Sequence, residues 1–162
     1  MKTLLSLLCV AGLSACASYA PSVPTDYKGP TVALTDYYIP EERSKAQLFY
    51  VDAVDGHEIE SSLVASRRAT SGQGFSVSMV AVTRQVPARP LRLKLVGTHF
   101  IGAPIHELAS RAAGTFYSVE GELTFIPVQG RSYFVKGQLQ KTGSFACIAD
   151  ASTEQCVSDK VQ

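Results

Sequence analysis

The segment AQLFYVDAVDG, residues Ala46 to Gly56, gives the clearest indication of the fold. Its first nine residues are mostly apolar, β-branched or aromatic, a composition that favours a strand. They end at Asp55-Gly56, a dipeptide that favours the two-residue turn of a β-hairpin. The residues from His57 to Glu60 are expected to return from this turn, so the segment predicts an antiparallel strand pair.

Strand patterns recur along the rest of the chain. Leu91-Arg92-Leu93-Lys94-Leu95 alternates without a fault, which predicts a half-buried strand with its leucines inward. Turn residues separate the other apolar runs from one another. Further strands are predicted at 75–86, 116–126, 131–140 and 144–149, the last of these forming a hairpin with 155–161.

These seven or eight strands do not alternate with helices, as the strands of parallel sheets do. We therefore expect an all-β fold, an antiparallel β-sandwich of immunoglobulin or transthyretin type with at most short helical turns. The pattern at Ser61–Ala69 fits either a short helix or an edge segment, and Ile105–Ala112 fits a helical turn. Residues 31–162 are expected to form one domain.

The first sixteen residues, MKTLLSLLCVAGLSAC, have the order of a secretory signal peptide. One positive charge at Lys2 precedes an apolar run from Leu4 to Leu13. As a helix this run would span ~15 Å, about half of a ~30 Å bilayer core, so it is too short for a permanent membrane span. Its end, Leu-Ser-Ala-Cys at 13–16, resembles the lipobox of bacterial lipoproteins.

The lipobox resemblance implies that residues 1–15 are removed and that Cys16 becomes a lipidated N-terminus held in the membrane. Ala17 at the next position implies sorting to the outer membrane, facing the periplasm. Residues 16–30 are rich in Ser, Pro and Gly, which predicts a flexible tether. The alternative is an ordinary secretory signal cut near Ala17 or Ala20.

Two cysteines remain for the domain, because Cys9 leaves with the signal peptide and Cys16 takes lipid. Cys147 and Cys156 lie in the predicted last hairpin, where a turn centred at 151–152 would place them directly opposite each other. Opposed residues of an antiparallel pair have Cα atoms about 4.5–5.5 Å apart, within the range of a disulfide. The periplasm is oxidising, so we predict that the two form a bridge.

No motif in the sequence points to catalysis or metal binding. His57, His99 and His106 lack the spacing of helical zinc ligands. The sequence also has neither the Gly-x-Ser-x-Gly turn of a serine hydrolase nor a phosphate-binding loop. We therefore expect no metal, no cofactor and no enzymatic activity.

The overall charge is balanced, but its distribution is uneven. The chain has 15 basic and 14 acidic side chains, and loss of Lys2 with the signal peptide leaves 14 of each, which argues against nucleic acid as a partner. Residues 31–60 carry seven carboxylates, whereas residues 61–106 carry none. The latter segment contains six cations, which are Arg67, Arg68, Arg84, Arg89, Arg92 and Lys94.

Two interpretations of these six cations remain open. They can pair with carboxylates on neighbouring strands. Alternatively, they form a face that binds anions, such as lipid A phosphates, peptidoglycan carboxylates or an acidic protein.

From Ala46 to Val161 the chain resembles a group of small lipoproteins of Gram-negative bacteria. The resemblance is carried by FYVDAVDG at 49–56, by Val86-Pro87-Ala88, and by the strand-turn-strand sequence LTFIPVQGRSY at 123–133. The same phrases are similar to PEGA-type carbohydrate-associated β-domains. The resemblance implies a non-enzymatic module of the cell envelope.

The leading hypothesis is a non-catalytic periplasmic lipoprotein that binds, or assists the assembly of, an envelope component such as a protein, peptidoglycan or lipid A. The alternative is an inhibitor or immunity-type lipoprotein that blocks a toxic or lytic enzyme by inserting a loop, with Ser71–Gly74 and Gly97–Ile105 as candidates. A third hypothesis is an envelope hydrolase with a site assembled from separated residues.

Overall fold

Nine strands and two helices make up the part of the chain that the structure describes. The computed structural model describes residues 19–162, so the predicted signal peptide, Cys9 and the predicted lipidation site Cys16 lie outside the described residues. The elements in chain order are β1 (Thr31–Thr35), β2 (Tyr37–Glu42), β3 (Lys45–Val54), β4 (His57–Glu58), α1 (Ser62–Thr70), β5 (Thr83–Pro87), β6 (Leu91–Ile101), α2 (Pro104–Ala112), β7 (Ser118–Phe125), β8 (Ser132–Gln138) and β9 (Phe145–Asp150).

The strands form two sheets that pack face to face. One sheet has the order β5-β1-β8-β9, in which β1 and β8 are parallel and the other pairs antiparallel. The other has the antiparallel order β2-β3-β6-β7, with β4 also pairing with β3. The chain passes from the first sheet to the second at Asp36. The prediction of an all-β sandwich is confirmed.

Both helices have nine residues, which is longer than the helical turns expected from the sequence. The first of them, α1, covers part of the outer face of the five-stranded sheet. The second, α2, follows the end of β6. Neither helix is long and apolar enough to cross a membrane, and this holds for residues 19–162 as a whole.

The hairpin predicted at Asp55-Gly56 is present. Asp55 has φ 51° and Gly56 has φ 84°, both positive as a type I′ turn requires, and the turn pairs Val54 with His57. In β6 the three leucines at 91, 93 and 95 are buried, while Arg92 between them is exposed. The alternation predicted for this strand is therefore confirmed.

The main core lies between the two sheets, and Phe49 is at its centre. Phe49 is fully buried on β3, where two glycines leave room for its ring. A Cβ atom added to Gly97 on the neighbouring β6 would stand 2.9 Å from Phe49 Cδ1, and one added to Gly137 on the facing β8 would also collide with this ring. The two sheets can approach closely here because these positions have no side chain.

A second, smaller core covers the outer face of the five-stranded sheet. It contains Leu48, Tyr50, Val96 and Phe100, which project from β3 and β6 away from the main core. Leu63 of α1 packs on them, as do Val77 and Met79 from the segment between α1 and β5. This segment, residues 71–82, together with α1 therefore forms a partial third layer.

The predicted strand 75–86 is wrong for its first eight residues, since β5 begins at Thr83. Residues 78–82 are bound to helix α1 instead of a neighbouring strand. Three helix hydroxyls, each four residues apart, bind backbone N–H groups two residues apart: Ser62 binds Val82 at 2.8 Å, Ser66 binds Val80 at 3.0 Å and Thr70 binds Ser78 at 3.0 Å.

The spacing explains why this unusual pairing fits. Four residues of helix rise ~6 Å, and two residues of extended chain span ~6.6 Å, so the two rows of groups stay in register. The buried face of α1 is consequently made of hydroxyls instead of apolar side chains, which is why hydrophobic periodicity did not decide between a helix and an edge segment.

Residues 19–30, expected to be part of a flexible tether, make defined contacts with the domain. The Ala20 N–H donates to Glu58 O at 2.9 Å, in a parallel bridge between Ala20 and Ile59. The Ser22 hydroxyl donates to Gln85 O at 2.8 Å. The chain is therefore held to the domain from Ala20 onward, only four residues after the predicted lipidation site.

The predicted disulfide between Cys147 and Cys156 is confirmed, with Cα atoms 5.9 Å apart. The backbone pairing around the disulfide differs from the prediction. Cys156 forms an isolated β-bridge with the backbone of Ala149 and not with that of Cys147. The second strand predicted at 155–161 is reduced to isolated β-bridges at Cys156 and Val161. The disulfide closes a short loop, which in the chain-entropy model stabilises the fold by at most ~3 kcal/mol.

Candidate binding cleft

The six cations singled out from the sequence lie in separate places. Arg84 is buried and forms a bidentate ion pair with Asp36, its Nη1 and Nη2 each 2.6 Å from a carboxylate oxygen. This guanidinium is occupied inside the fold and is not part of an exposed face. The other five are nearer the surface.

Four of these five also contact carboxylates. Arg68 pairs with Glu60, Arg89 lies 2.7 Å from Asp55, Arg92 lies 3.8 Å from Glu122, and Lys94 lies 2.9 Å from Asp52. The hydrogen bond and charge of Asp52 raise the pKa of Lys94. Two of these contacts, Arg92 with Glu122 and Lys94 with Asp52, join neighbouring strands as charge pairing requires, and an anion-binding face stays a prediction. Arg67 has no ion pair within the described residues and points to a cleft instead.

This cleft, of about 800 Å³, lies over the outer face of the five-stranded sheet. Its floor comes from β3 and β6, with Tyr50, Val96 and Thr98. Helix α1 and the loop after it form one wall, and α2 with the start of β7 forms the opposite wall. The wall residues include Leu63, Arg67, Thr70, Ser71, Gly72, Gly74, Pro104, Glu107, Arg111, Phe116, Ser118 and Glu120.

Polar groups in the cleft are held in defined orientations. Arg111 binds Glu107 Oε1 through Nε at 3.0 Å and Nη2 at 2.8 Å, and its Cζ lies 3.7 Å from the centroid of the Phe116 ring. Burial raises the pKa of Tyr50 far above its usual value; Asp52 adds to this and Arg67 opposes it. Tyr50 is therefore a hydrogen-bond donor throughout the physiological pH range.

The charges that line the cleft are mixed, with Arg67 and Arg111 against Glu107 and Glu120. Together with the hydroxyls and the face of Phe116, they suit a ligand that combines polar groups with apolar surface. The arrangement provides recognition through hydrogen bonds and stacking. It gives no net attraction for a highly charged polyanion.

Three exposed apolar side chains directly follow residues that line the cleft, namely Gly74, Pro104 and Glu107. Ile105 and Leu108 of α2 are each 68% exposed, and Phe75, after the 71–74 loop, is 63% exposed and stacks on His106 with ring centroids 5.3 Å apart. None of the nine residues of α2 is buried. We refer to Phe75, Ile105 and Leu108 as the apolar rim. Grouped exposed apolar side chains of this kind are typical of interaction surfaces.

His99, on β6, is one of the residues that line the cleft. Its Nδ1 accepts a hydrogen bond from the Tyr117 N–H at 3.0 Å, so the neutral ring carries its proton on Nε2. Nε2 is buried without a hydrogen bond, 3.4 Å from Glu41 Oε1. Burial lowers the pKa of His99, Glu41 opposes this shift, and Lys45 adds to it.

The pKa of Glu41 is also lowered. Burial acts to raise it, but a hydrogen bond from Gln47 and the charges of His99 and Lys45 outweigh that effect. The other two histidines, His57 on β4 and His106 on α2, are exposed. Within residues 19–162 no three His, Cys, Asp or Glu side chains lie close enough together to hold a metal ion.

Three parts of the chain singled out from the sequence line the cleft, namely Arg67, most of Ser71–Gly74 and most of Gly97–Ile105. The Ser71–Gly74 loop was a candidate insertion loop and lies at its edge, whereas most of Gly97–Ile105 belongs to β6 and not to a loop. The residues that shape the site, such as Tyr50, Arg111 and Phe116, come from separate elements with no common motif. The apolar pair Ile105 and Leu108, three residues apart on a short helical pattern, is a further signal that could have been followed, because it adjoins the lining residues Pro104 and Glu107.

Comparisons with protein-family models, with curated proteins and with solved structures each find no match for the chain. Function therefore has to be inferred from the residues of this chain.

Proposed function

We propose that the protein is a non-catalytic lipoprotein of the bacterial envelope, anchored through Cys16 on the periplasmic side of the outer membrane, and that its cleft binds an envelope component. The lipobox at 13–16 supports the anchoring. The binding role rests on one observation: a cleft of about 800 Å³ with oriented polar groups is bordered by the exposed apolar rim.

The composition of the cleft favours a ligand with both polar and apolar surface. Phe116 and Arg111 offer a stacked pair, Tyr50 offers a donor, and Arg67 offers a guanidinium without a carboxylate partner among the described residues. A peptide segment of an envelope protein or a carboxylate-bearing fragment of peptidoglycan has this chemistry. Of the six cations, Arg67 is the one best placed to contact such a ligand.

A second candidate function is inhibition of a toxic or lytic enzyme, and the exposure of α2 favours it. A short helix with two apolar side chains three residues apart and no buried residue can enter the groove of another protein. The two proposed functions use the same surface, the apolar rim, and differ only in whether the partner is an envelope component or an enzyme to be inhibited. Both require the apolar rim to be covered in the envelope.

Photo-crosslinking in intact cells tests this proposal. A photoreactive amino acid at position 108 should give a covalent adduct, whereas the same residue at position 157 is the control, because Val157 is also apolar and exposed but is hydrogen-bonded to Ile148 of β9, in the other sheet. An adduct with one enzyme supports the inhibitor, and an adduct with the sacculus or an assembly protein supports the first function. Equal labelling at both positions, or none at 108, contradicts the binding role.

The anchor has its own test. Mass spectrometry of the protein from native membranes should identify Cys16 as an acylated N-terminus, and Cys16→Ser should prevent both lipid incorporation and sedimentation with membranes. An unmodified N-terminus at Cys16, Ala17 or Ala20 would show an ordinary secretory signal instead.

A further inference from the structure

The anchoring proposed above has a geometric consequence, because very little chain separates Cys16 from the domain. Three peptide units join Cys16 to Tyr19, and an extended chain of this length spans at most ~11 Å. Ala20 is already hydrogen-bonded to Glu58. If Cys16 carries the lipid, the part of the domain next to Tyr19 therefore lies within reach of the bilayer surface.

The direction of the chain identifies this part. Ala20 pairs in parallel with Ile59, which follows β4, and β4 runs away from the Asp55-Gly56 turn. Since the two segments are parallel, the chain before Ala20 points back toward that turn. If Cys16 carries the lipid, its attachment point lies within ~11 Å of Tyr19, which is at the end of the sandwich where β3 ends.

The same end carries exposed apolar side chains. Residue pairs Val54–Leu93 and Leu91–Phe125 place the start of β6 and the end of β7 there. The turn that follows β7 contains Ile126, 65% exposed, and Val128, 56% exposed. From Ala20, which pairs on the outer side of the β4 segment, to β7 there are four strand spacings, about 19 Å, so this turn lies at the same end of the sheet as the point where the chain leaves the domain.

This turn is fixed, and its charged neighbours are paired. The Val128 N–H donates to the Tyr133 hydroxyl at 2.9 Å. Arg89 is bound to Asp55 and Arg92 lies near Glu122. The surface therefore offers apolar contact without a strong excess of charge, which suits the boundary between headgroups and acyl chains more than binding of anionic lipid alone.

We propose that this end of the sandwich, defined by Tyr19, the Asp55-Gly56 turn, Ile126 and Val128 and called the anchor end, rests on the phospholipid surface of the membrane that holds Cys16. This inference depends on the lipidation of Cys16. The acyl chains supply the affinity, and the anchor end sets the orientation.

The proposal also places the cleft. The apolar rim lies near the Ile101 end of β6, whose eleven residues span ~33 Å from Leu91. With the anchor end on the bilayer, the apolar rim and the adjoining end of the cleft lie far from the lipids, on the periplasmic side. Its ligand would then be a soluble or cell-wall component and not a lipid of the anchoring membrane.

The absence of tryptophan from the sequence makes a direct test available. Val128→Trp and Leu108→Trp each introduce a single tryptophan at an exposed apolar position, one at the anchor end and one at the apolar rim. Each full-length lipidated variant is placed in phosphatidylcholine vesicles with and without brominated acyl chains, and tryptophan quenching is compared. Ile126→Trp is a second probe in case the variant at position 128 misfolds.

We expect brominated lipid to cause a clear loss of fluorescence at position 128 or 126, with a blue shift, and no change at position 108. Quenching at 108 alone, or at no position, overturns the orientation while leaving the lipid anchor intact, provided that the protein floats with the vesicles. A protein that does not float, and whose Cys16 carries no lipid by mass spectrometry, overturns the anchor and this inference together.

Discussion

The carboxylate of Asp36 connects four parts of the fold. It is fully buried and accepts hydrogen bonds from the Val51 N–H at 3.1 Å, from the Ser62 N–H at 2.9 Å, and from both Nη atoms of Arg84. This one side chain therefore connects the junction between the sheets, the irregular pairing of β3, the start of α1 and strand β5. A buried ion pair with all its partners satisfied costs little, but loss of one partner is strongly destabilising.

Asp36→Asn should therefore lower the free energy of unfolding by ~3–5 kcal/mol, because it leaves the Arg84 guanidinium buried without its counter-charge. Urea unfolding followed by circular dichroism measures this change. Asp55→Asn is the matched control: Asp55 pairs with Arg89 near the surface and its loss should cost no more than ~1 kcal/mol. Similar losses of unfolding free energy for the two variants would show that the Asp36–Arg84 ion pair contributes no more to stability than the pair near the surface.

His99 should make stability depend on pH. Burial lowers its pKa, and protonation would put a hydrogen on Nδ1 facing the Tyr117 N–H. Below about pH 6.5 the unfolded chain binds a proton that the folded chain excludes, so the free energy of unfolding should fall on acidification. The lowered pKa of Glu41 acts in the same direction, but from its usual value of 4.5 downward.

His99→Gln should flatten the pH dependence of unfolding between about pH 7 and pH 5, the range in which histidines titrate. His57→Gln, at an exposed position on β4, should keep the pH dependence of the unaltered protein. Urea midpoints at several pH values provide the comparison. If the free energy of unfolding of His99→Gln depended on pH as steeply as that of the unaltered protein, titration of other groups would be the cause.

Among the elements, helix α1 is held against residues 78–82 by the hydroxyls of Ser62, Ser66 and Thr70 and not by an apolar face. Ser66→Ala removes the acceptor for the Val80 N–H in the middle of the row. Leaving this part-buried N–H unpaired should destabilise the variant by ~1 kcal/mol, the lower end of the cost of an unsatisfied buried donor. Ser110→Ala, the same change in α2, should stay within ~0.5 kcal/mol because the Ser110 hydroxyl has no such contact among the described residues.

Elements with regular hydrophobic patterns could be predicted from the sequence. Segments whose backbone binds side chains in place of a neighbouring strand could not. The Asp55-Gly56 hairpin and the leucines of β6 follow local rules of turn conformation and alternation. Strands β1 and β2 were not predicted. For β2 the reason is that it is a mostly exposed edge strand containing Pro40. Residues 75–82 have the composition of a strand but pair with hydroxyls of α1, which no local rule encodes. The cleft joins side chains from five elements, so only the tertiary fold creates it.

At the scale of the whole molecule, the distance between the sheets depends on Phe49 and the two glycines around it. Gly97→Ala would place a Cβ atom against the side chains of Phe49 and Val119, and overpacking of this kind costs ~1–3 kcal/mol. Phe49→Leu in the same protein should recover part of the loss, because the clash involves only side chains.

Gly137→Ala differs in a way that a double-mutant comparison can detect. Its added Cβ would also stand 2.6 Å from the backbone oxygen of Phe145, which a smaller residue at position 49 cannot relieve. We expect Phe49→Leu to rescue Gly97→Ala more than Gly137→Ala in thermal unfolding. Equal rescue would mean that β9 moves to accommodate the methyl group.

The four hydrogen bonds of Asp36 also have a consequence for hydrogen exchange, because they join the sandwich interior to the start of the outer helix. The amide hydrogens of Val51, inside the sandwich, and Ser62, at the first turn of an outer helix, are held by the same carboxylate. Helix termini normally fray and exchange with deuterium quickly. Here we expect the Ser62 amide to exchange about as slowly as the Val51 amide, because the first turn of α1 cannot open without breaking the contacts of the same buried carboxylate.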